Sequence, residues 1–280
     1  MTAQEIEERD KRTTTRLMME ALEEDLFIDP NEEIDHPPVC LSFGEHKIGA
    51  KVYPTPIATY GNLIMVQAPP KSMKTFFTSL LSAAYLADSV EGVTGKIKGH
   101  REGRCLYHFD TEQGKFHAQR VFRRVLDMTK MTNECYNTYG LRTLSYKDRI
   151  DFIEYCLYDK NEGEGVGLVV LDGIADLVSD VNDIEQTNLI VQRIMRWTQD
   201  LNCTVICIIH SNHSDASKAT GHLGSFLEKK SETVIQLELL QESEVTVKCR
   251  RSRNFPFEQF SFKVNQYGIP SVIGCDFDFF

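Results

Sequence analysis

The sequence predicts an α/β fold in which a mostly parallel, twisted sheet has helices on both faces. Short, almost wholly apolar segments alternate with longer stretches of helical periodicity, which is typical of a buried parallel sheet. The predicted strands span residues 63–67, 105–110, 167–172 and 204–210. The predicted helices between and after them span residues 74–88, 117–129, 147–157 and 185–201.

The last part of the chain has a different pattern. Beyond residues 223–231, the segments 233–239, 244–249 and 259–264 alternate apolar and polar residues and are joined by short turns. Such alternation indicates antiparallel strands with one solvated face. We therefore expect C-terminal antiparallel strands added to the parallel sheet.

Residues 1–38 are predicted to form a separate, charged helical arm or tail. The first 26 residues permit a helix, and Pro30, Pro37 and Pro38 interrupt the chain before the sheet begins. Residues 39–280 then form one α/β domain, a length that a single core supports. The arm is either a partly ordered tail or a segment that docks on a neighbouring subunit.

The composition is that of a globular protein, with 280 residues, 41% apolar and 26% charged, and a formal net charge of -10. This acidity repels a phosphate backbone, so nucleic-acid contacts would have to come from local basic loops. The charged N-terminus lacks the pattern of a secretory leader, and no apolar run reaches the ~18 residues of a membrane span. Cys105, Cys203 and Cys207 lie in apolar runs typical of buried, reduced thiols. We expect a cytoplasmic protein without membrane contact.

The most informative segment is GNLIMVQAPPKSMKT at residues 61–75, an apolar strand followed by a turn that ends in Lys74 and Thr75. It matches the phosphate-loop pattern G-x-x-x-x-G-K-[ST], except that Ala68 and Met73 replace the two glycines. A helix that begins here offers free N–H groups and a partial positive charge to a phosphate. Lys74 would reach the β- and γ-phosphates and Thr75 would bind Mg²⁺. The alternative is an ordinary strand–turn–helix with an exposed lysine.

This loop has two unusual properties. Pro69 and Pro70 have no N–H group, so the donors to a phosphate must come from residues 71–75. Met73 places a side chain where close approach favours none, and it restricts the backbone. The candidate nucleotide-binding residues are Ala68, Pro69, Pro70, Lys71, Ser72, Met73, Lys74, Thr75 and Phe76.

Carboxylates follow the second and third predicted strands. Asp110 and Glu112 come at the end of CLYHFDTEQ, and Asp172 ends the apolar run VGLVVLD. Ligands bind at this edge of an open parallel sheet. Glu112 is the candidate base that would deprotonate a water attacking a γ-phosphate, and Asp172 would hold Mg²⁺ opposite Thr75. The alternatives are a capping or solvated acid at Glu112 and a simple Asp-Gly turn at Asp172.

The fourth predicted strand ends in His210, next to the expected γ-phosphate. A polar side chain at this position could report the presence of that phosphate to the loop that follows. The alternatives are a simple hydrogen-bonded histidine and a metal site formed with His213 and His222.

The loop at residues 211–225 is small, polar and contains glycine, so it could contact a ligand such as single-stranded DNA. Lys218 is its one certain positive charge. The neighbouring loop at residues 173–185 carries several acidic side chains, which weighs against nucleic acid and leaves a protein partner open.

The densest basic cluster of the domain is VKCRRSRNFPF, near the end of the chain. Alternation along a strand places Arg251 and Arg253 on one face and Arg250 on the other. Arginine binds phosphate bidentately, so Arg251 and Arg253 could reach the γ-phosphate of a neighbouring subunit. The alternative is a solvated edge strand whose charges prevent aggregation.

Together these motifs resemble those of the RecA-fold P-loop ATPases, in the branch of the DnaB-type and RepA-type hexameric helicases. The resemblance covers about residues 39–270 and is carried by APPKSMKT, FDTEQ, LVVLDGIADL, IIHSNHSD, ATGHLGS and RRSRN, in that order. The chain is most similar to AAA-family ATPases of phages and mobile elements of the Bacteroidetes group. Their phosphate loop often has the form K-S-x-K-[ST].

The resemblance implies a RecA-like ATPase domain with ATP and Mg²⁺ as cofactors, and a homo-oligomer, with a hexamer favoured. It implies Lys74 and Thr75 on nucleotide and Mg²⁺, Asp172 on Mg²⁺, Glu112 as base, His210 as sensor, and Arg251 and Arg253 as the basic pair inserted into the adjacent subunit's site. The family usually has lysine at the first position of that pair.

Three functions are consistent with the sequence. The first is a motor or loader that acts on single-stranded DNA of a phage or mobile element. The second is an adaptor that binds a nucleotide without hydrolysing it, because Ala68 and Met73 mark a decayed loop. The third is a regulatory ATPase whose acidic loops meet a protein partner.

Overall fold

The computed structural model describes residues 3–132, 134–160, 165–212, 219–241 and 243–274. The chain divides into two units, Met1–His36 and Pro37–Phe280. The first unit contains helix α1 (Ala3–Leu26), on which Arg12 pairs with Glu8 and Arg16 with Glu20 at i,i+4 spacing.

The second unit alternates strands and helices. Its helices are α2 (Lys74–Ala87), α3 (Lys115–Thr129), α4 (Tyr146–Glu154), α5 (Ile184–Asp200) and α6 (Gly221–Lys230). A π-helical turn (Tyr155–Asp159) extends α4, and a 3-10 turn (Ile174–Leu177) precedes α5. The strands are β1 (Val39–Ile48), β2 (Lys51–Thr59), β3 (Leu63–Ala68), β4 (Ile97–Gly99), β5 (Cys105–Asp110), β6 (Tyr136–Gly140), β7 (Val166–Asp172), β8 (Thr204–His210), β9 (Thr233–Gln241), β10 (Glu244–Ser252), β11 (Phe260–Val264) and β12 (Pro270–Ile273).

The strands form a nine-stranded sheet in the order β12-β11-β10-β9-β3-β8-β7-β5-β6 and a three-stranded antiparallel sheet in the order β2-β1-β4. In the larger sheet, the six strands from β9 to β6 are parallel, and β10 to β12 continue it antiparallel. The expected α/β class, with a parallel sheet and C-terminal antiparallel strands, is confirmed. The smaller sheet and the edge strand β6 are not among the predicted elements.

Two apolar layers cover the faces of the large sheet, because successive side chains of a strand point to opposite faces. Along β3, Ile64 and Val66 pack with α2 and α3, whereas Leu63 and Met65 pack with α5 and α6. Trp197 of α5 is fully buried in the second layer. No helix within the described ranges is both long and apolar enough to cross a bilayer.

Gly99 of β4 is a position where the backbone requires the absence of a side chain. A Cβ at Gly99 would lie 2.3 Å from the carbonyl oxygen of Ala84 and 2.6 Å from Cα of Tyr85, both backbone atoms of α2. At Gly140 of β6, the nearest atoms lie beyond 4 Å. The two glycines therefore form a matched pair for testing the packing of the small sheet on α2.

We expect Gly99→Ala to lower the free energy of unfolding by about 3 kcal/mol, because the helix backbone cannot move aside cheaply. Gly140→Ala should change it by less than about 1 kcal/mol. Urea unfolding followed by circular dichroism measures both. Equal effects of the two substitutions would mean that β4 is not held against α2.

Candidate nucleotide-binding site

The register of the parallel strands brings the predicted site residues to one edge of the sheet. Ala68 at the end of β3 pairs with His210 at the end of β8. Asp110 at the end of β5 pairs with Asp172 at the end of β7, and Asp172 also pairs with Ile208 of β8. The chain therefore leaves four adjacent strands at the same level, and the loops that follow share one crevice.

The loop between β3 and α2 is closed by bonds to one carbonyl. The oxygen of Pro69 accepts a hydrogen bond from the Ser72 hydroxyl and another, of 3.1 Å, from Lys74 Nζ. Ala68 remains buried in the extended strand, next to Ser211, whose N–H donates to the Ala68 oxygen. The first glycine of the usual pattern is thus replaced where no unusual backbone angle is needed.

Met73, at the second glycine position, has the left-handed conformation that glycine usually provides. Its φ is 62° and its ψ is 27°, and Lys71 has a φ of 63°. A non-glycine residue in this region costs about 1–2 kcal/mol. The half-buried Met73 side chain packs against the α2–α3 layer, which offsets part of this cost. The backbone conformation that glycine favours is therefore present at position 73 although the glycine is absent.

The first residues of α2 are suited to an anion. Met73 is the N-cap, and Lys74 and Thr75 open the helix, so their N–H groups have no acceptor within it. The positive end of the helix dipole points the same way. These donors replace those that Pro69 and Pro70 cannot supply.

Lys74, His210 and Glu112 form a connected chain of polar contacts. Lys74 Nζ lies 2.9 Å from Nδ1 of His210, and Nε2 of His210 lies 3.4 Å from Glu112 Oε1. An ammonium group can only donate, so Nδ1 accepts and the proton of a neutral imidazole is on Nε2, directed at the carboxylate. The His210 contact, followed by the charge of Lys74, lowers the pKa of Glu112 and keeps it ionised. Burial lowers the pKa of Lys74, and the charges of Glu112 and Asp172 oppose this.

Asp172 and Asp110 are buried carboxyl groups, each with one oxygen that has no hydrogen-bond partner among the described residues. Burial, and then the charges of Asp110 and Glu112, raise the pKa of Asp172 to about 7. Burial also raises the pKa of Asp110, although its Oδ1 accepts the N–H groups of Glu112 and Gln113. A free oxygen in such a cluster of acids fits a divalent cation, which would satisfy the oxygen and remove the repulsion. Asp172 and the hydroxyl of Thr75 would hold Mg²⁺.

These residues line a cavity of about 510 Å³, within the range of small-molecule sites. Its lining includes Lys71 to Phe76, Glu112, Asp172 and His210. It also includes His117, Arg120 and Arg124 of α3, which the sequence prediction missed. Their spacing of three and four residues on one helix face is the signal that could have revealed them.

Arg124 connects α3 to the first turns of α2. Its guanidinium lies 4.0 Å above the ring of Phe76 and donates a 3.1 Å hydrogen bond to the Ser79 hydroxyl. Burial, and then the charge of Arg120, lower the pKa of Arg124 to about 10, so it remains protonated at neutral pH. The two arginines add positive charge to the side of the cavity that faces α3.

A larger cavity of about 670 Å³ lies between α3 and the edge strand β6. Its lining includes Lys115, Phe122, Tyr136 and Arg142, but none of the predicted site residues. Its lining includes the start of α3, at Gly114 and Lys115, but no carboxylate that could hold Mg²⁺, so its size alone does not make it the nucleotide site.

Arg251 and Arg253 are not brought to the cavity. Arg251 pairs with Glu228 at 3.2 Å, and the guanidinium of Arg253 donates to the carbonyl oxygens of Lys229 and Lys230. Arg251 pairs along the sheet with Val234, near the start of β9, whereas the cavity lies at the opposite end of the parallel strands. A role in catalysis would have to be exerted on another subunit.

The structure describes only part of the predicted ligand loop at residues 211–225. His213 and Lys218 lie outside the described residues. Ser211 and Ala219 form an isolated antiparallel bridge at the two ends of the loop, and His222 is exposed on α6. Within the described ranges, no three histidine, cysteine, aspartate or glutamate side chains cluster as a metal site.

Comparisons with known proteins concern the family and the fold of the chain. A family model described as an AAA domain matches residues 53–216, more than half of the chain. The crystal structure of the RadB recombinase is similar with a TM-score of 0.50 and 16% identity, over 75% of this chain and 90% of that chain. At this identity the likeness concerns the fold alone. A search of curated proteins gives no match.

The range matched by the family model contains the phosphate loop, Glu112, Asp172 and His210. The fold has the mostly parallel sheet with added antiparallel strands that is expected of a RecA-like ATPase core. This chain belongs to the AAA-domain family of P-loop ATPases and has a RecA-like fold.

Proposed function

We propose that this protein binds and hydrolyses ATP in the cavity at the carboxyl edge of the sheet. The observation that carries the proposal is the convergence of Lys74, Glu112, Asp172 and His210 around one helix N-terminus. Phosphoryl transfer needs mainly positioning and charge neutralisation, and these groups supply both.

Each residue has a role that follows from its position. Lys74 and the N–H groups at the start of α2 bind the β- and γ-phosphates. Glu112 orients a water and accepts its proton as the water oxygen bonds to the γ-phosphorus and the bond to the ADP oxygen breaks. Mg²⁺, held by Thr75 and Asp172, supplies charge neutralisation to the phosphate oxygens when it is bound. Arg120 and Arg124 add positive charge at the wall formed by α3.

His210 is the proposed sensor of the γ-phosphate. A γ-phosphate attracts the Lys74 ammonium group away from Nδ1 of His210, which breaks the chain from Lys74 to Glu112. His210 is the last residue of β8, and its carbonyl accepts both the N–H and the hydroxyl of Thr220. A rearrangement at His210 would therefore also displace Thr220, in the second half of the 211–225 loop.

We further propose that the ATPase works in the cytoplasm as a homo-oligomer, preferably a hexamer, of a phage or mobile element, as a helicase-like motor or loader. In such an assembly, Arg251 and Arg253 would act on the site of an adjacent subunit, and the 211–225 loop would contact single-stranded DNA.

A second candidate is a nucleotide-dependent regulator or adaptor that acts on a protein partner. It is favoured by the acidic residues around the start of α5, where Asp180 and Glu185 are exposed and the N-cap Asp183 is half-buried. These carboxylates suit a basic protein surface better than a phosphate backbone. Hydrolysis that does not respond to DNA would support this candidate.

The proposal is tested by the rate of ATP hydrolysis with and without single-stranded DNA at low salt. We expect turnover by the native protein, stimulation by DNA, and a rate at least about tenfold lower in Lys74→Ala, which loses the phosphate-binding ammonium group. Lys263→Ala, which removes an exposed lysine of β11, is the matched control and should retain the native rate. If Lys74→Ala and the native protein turn over ATP equally, the site assignment is wrong.

A further inference from the structure

The end of the sheet opposite the nucleotide cavity carries exposed aromatic and basic side chains, which we call the basal surface. It comprises His46, Tyr53 and Phe255 with Lys51, Lys229 and Lys230. The chain bearing Phe255 is fixed to the start of β3, because the Arg253 N–H donates to the Glu232 oxygen and the Glu232 N–H donates to the Leu63 oxygen. The phosphate loop leaves the other end of β3, so the two sites lie on the order of 20 Å apart.

The aromatic side chains of this surface are held in place but not covered. The ring of Phe255 lies 4.7 Å from the imidazole of His46 at an interplanar angle of 13°. His46 faces Tyr53 across the β1–β2 pair, with 6.1 Å between the ring centres, and its Nδ1 contacts the Thr55 hydroxyl at 3.2 Å. Phe255 is nevertheless 56% exposed and Tyr53 40%. A ligand that stacks on them would bind rings that are already ordered, which limits the entropy lost.

Positive charges flank these rings. Lys51 lies two residues from Tyr53 on the same face of β2. Lys229 and Lys230 end α6, and their carbonyl oxygens accept hydrogen bonds from Arg253, which joins the helix end to the chain that carries Phe255. Of the nearby carboxylates, Glu228 pairs with Arg251, and Glu232 accepts hydrogen bonds from Thr59 and Asn254. Glu45, 4.0 Å from Lys98, and Glu258 are exposed. An acidic protein thus has a basic region next to exposed rings.

Structural roles account for only part of this arrangement. Lysines at the end of α6 stabilise the helix dipole. That effect gives no reason for a phenylalanine to be exposed beside them, because burying an apolar ring is favourable. Exposed rings combined with lysines are the features by which proteins bind single strands, through base stacking and phosphate contacts.

We propose that the basal surface binds single-stranded nucleic acid, with bases stacked on Phe255 and Tyr53 and phosphates near Lys51, Lys229 and Lys230. This deepens the proposed function by giving the nucleic acid a surface separate from the 211–225 loop. The proposal rests on the proposed function only in taking nucleic acid as the class of ligand. Binding at this surface requires neither ATP nor hydrolysis.

The test is the fluorescence anisotropy of a labelled thirty-nucleotide poly-dT with the full chain, without nucleotide, over a range of salt concentrations. We expect Phe255→Ala to weaken the affinity about tenfold, the usual size of one lost base-stacking contact. Phe255→Tyr should retain most of the affinity, because the ring is kept. Tyr267→Ala removes an aromatic side chain that is 81% exposed on a distant turn and should have no effect.

The lysines are tested by the salt dependence. Lys229→Ala combined with Lys230→Ala should reduce the slope of log affinity against log salt by about 1.4, since each phosphate contact on a single strand contributes about 0.7. Lys147→Ala combined with Lys263→Ala makes the same change of charge elsewhere and should leave the slope unchanged. A 5-iodouracil oligonucleotide should crosslink to the peptides that contain Tyr53 or Phe255.

Several outcomes would overturn the proposal. These are no binding of poly-dT at 50 mM salt, crosslinks confined to residues 211–225, or an equal loss of duplex and single-strand affinity in Phe255→Ala. Competition by a polyglutamate peptide at equal charge would instead point to an acidic protein partner. Binding of DNA by Lys74→Ala, in which ATP hydrolysis is expected to be impaired, would separate this surface from the proposed enzyme function. Melting curves of each variant show whether it is folded.

Discussion

Replacing Glu112 by glutamine is expected to slow ATP hydrolysis about 10²–10⁴-fold while nucleotide binding is retained. The amide keeps the size of the side chain and can still contact Nε2 of His210, but it cannot accept the proton of the attacking water. The phosphate-binding groups, Lys74 and the start of α2, are unchanged. Binding should even be slightly tighter, because one negative charge next to the phosphates is removed.

The measurement is a single-turnover rate with labelled ATP, together with an affinity for a fluorescent ATP analogue. Glu91→Gln, at an exposed position in the loop after α2, is the matched control and should behave as the native protein. A Glu112→Gln protein with native turnover would show that another group is the base. Loss of binding and turnover together would show that the substitution had disturbed the loop itself.

Replacing Asp172 by asparagine is expected to make the ligand-free protein more stable and to abolish Mg²⁺-dependent hydrolysis. The carboxylate is buried beside Asp110 and near Glu112, with one oxygen unpaired, so its ionised form destabilises the empty site. The amide carries no charge and should raise the melting temperature by about 5 °C at pH 8. Hydrolysis should fall to background, because Mg²⁺ loses its protein carboxylate.

The sign of the pH dependence follows from the raised pKa. The Asp172 pKa is about 7 in the folded protein and 3.8 as its ordinary value. The folded state therefore holds this proton more tightly, and the stability that it contributes is present below pH 4 and lost as the pH rises to 7. The gain from Asp172→Asn should be larger at pH 8 than at pH 5.5.

Melting curves in the presence of EDTA at the two pH values measure this difference. Asp151→Asn, on the surface of α4, is the control and should be neutral at both. A lower melting temperature for Asp172→Asn at pH 8 would mean that the native carboxylate stabilises the empty site, contrary to the proposed cation position.

Much of this fold and site follows from local sequence patterns. Cys105–Asp110 and Thr204–His210 are bounded as predicted, because continuous apolar runs ending in a polar residue mark strands that emerge at a sheet edge. Since parallel strands end at a common edge, the proximity of Asp110, Asp172 and His210 could be inferred without coordinates. The family match covers this same region.

Other features depend on contacts that no local pattern encodes. The role of Arg120 and Arg124 in the cavity depends on the rotation of α3 about its axis. Strand β6 is short and polar, and its pairing with β5 alone defines it. Met73 departs from the glycine pattern by residue type, but its backbone angles restore the shape of the loop. Arg251 and Arg253 lie at the end of the sheet opposite the cavity of their own chain, so their predicted action on an adjacent subunit depends on an assembly that no local pattern describes.

The contact between Lys74 and His210 has a consequence for selectivity between ATP and its product. The Lys74 ammonium group already has two partners, the carbonyl of Pro69 and the imidazole of His210. A bound phosphate must compete with these two partners for the ammonium group. The γ-phosphate of ATP would compete far better than the β-phosphate of ADP, which lies one phosphate position further from the lysine. If ATP binds here as proposed, the contact between Lys74 and His210 would break with ATP and persist with ADP, so this contact would distinguish the two nucleotides.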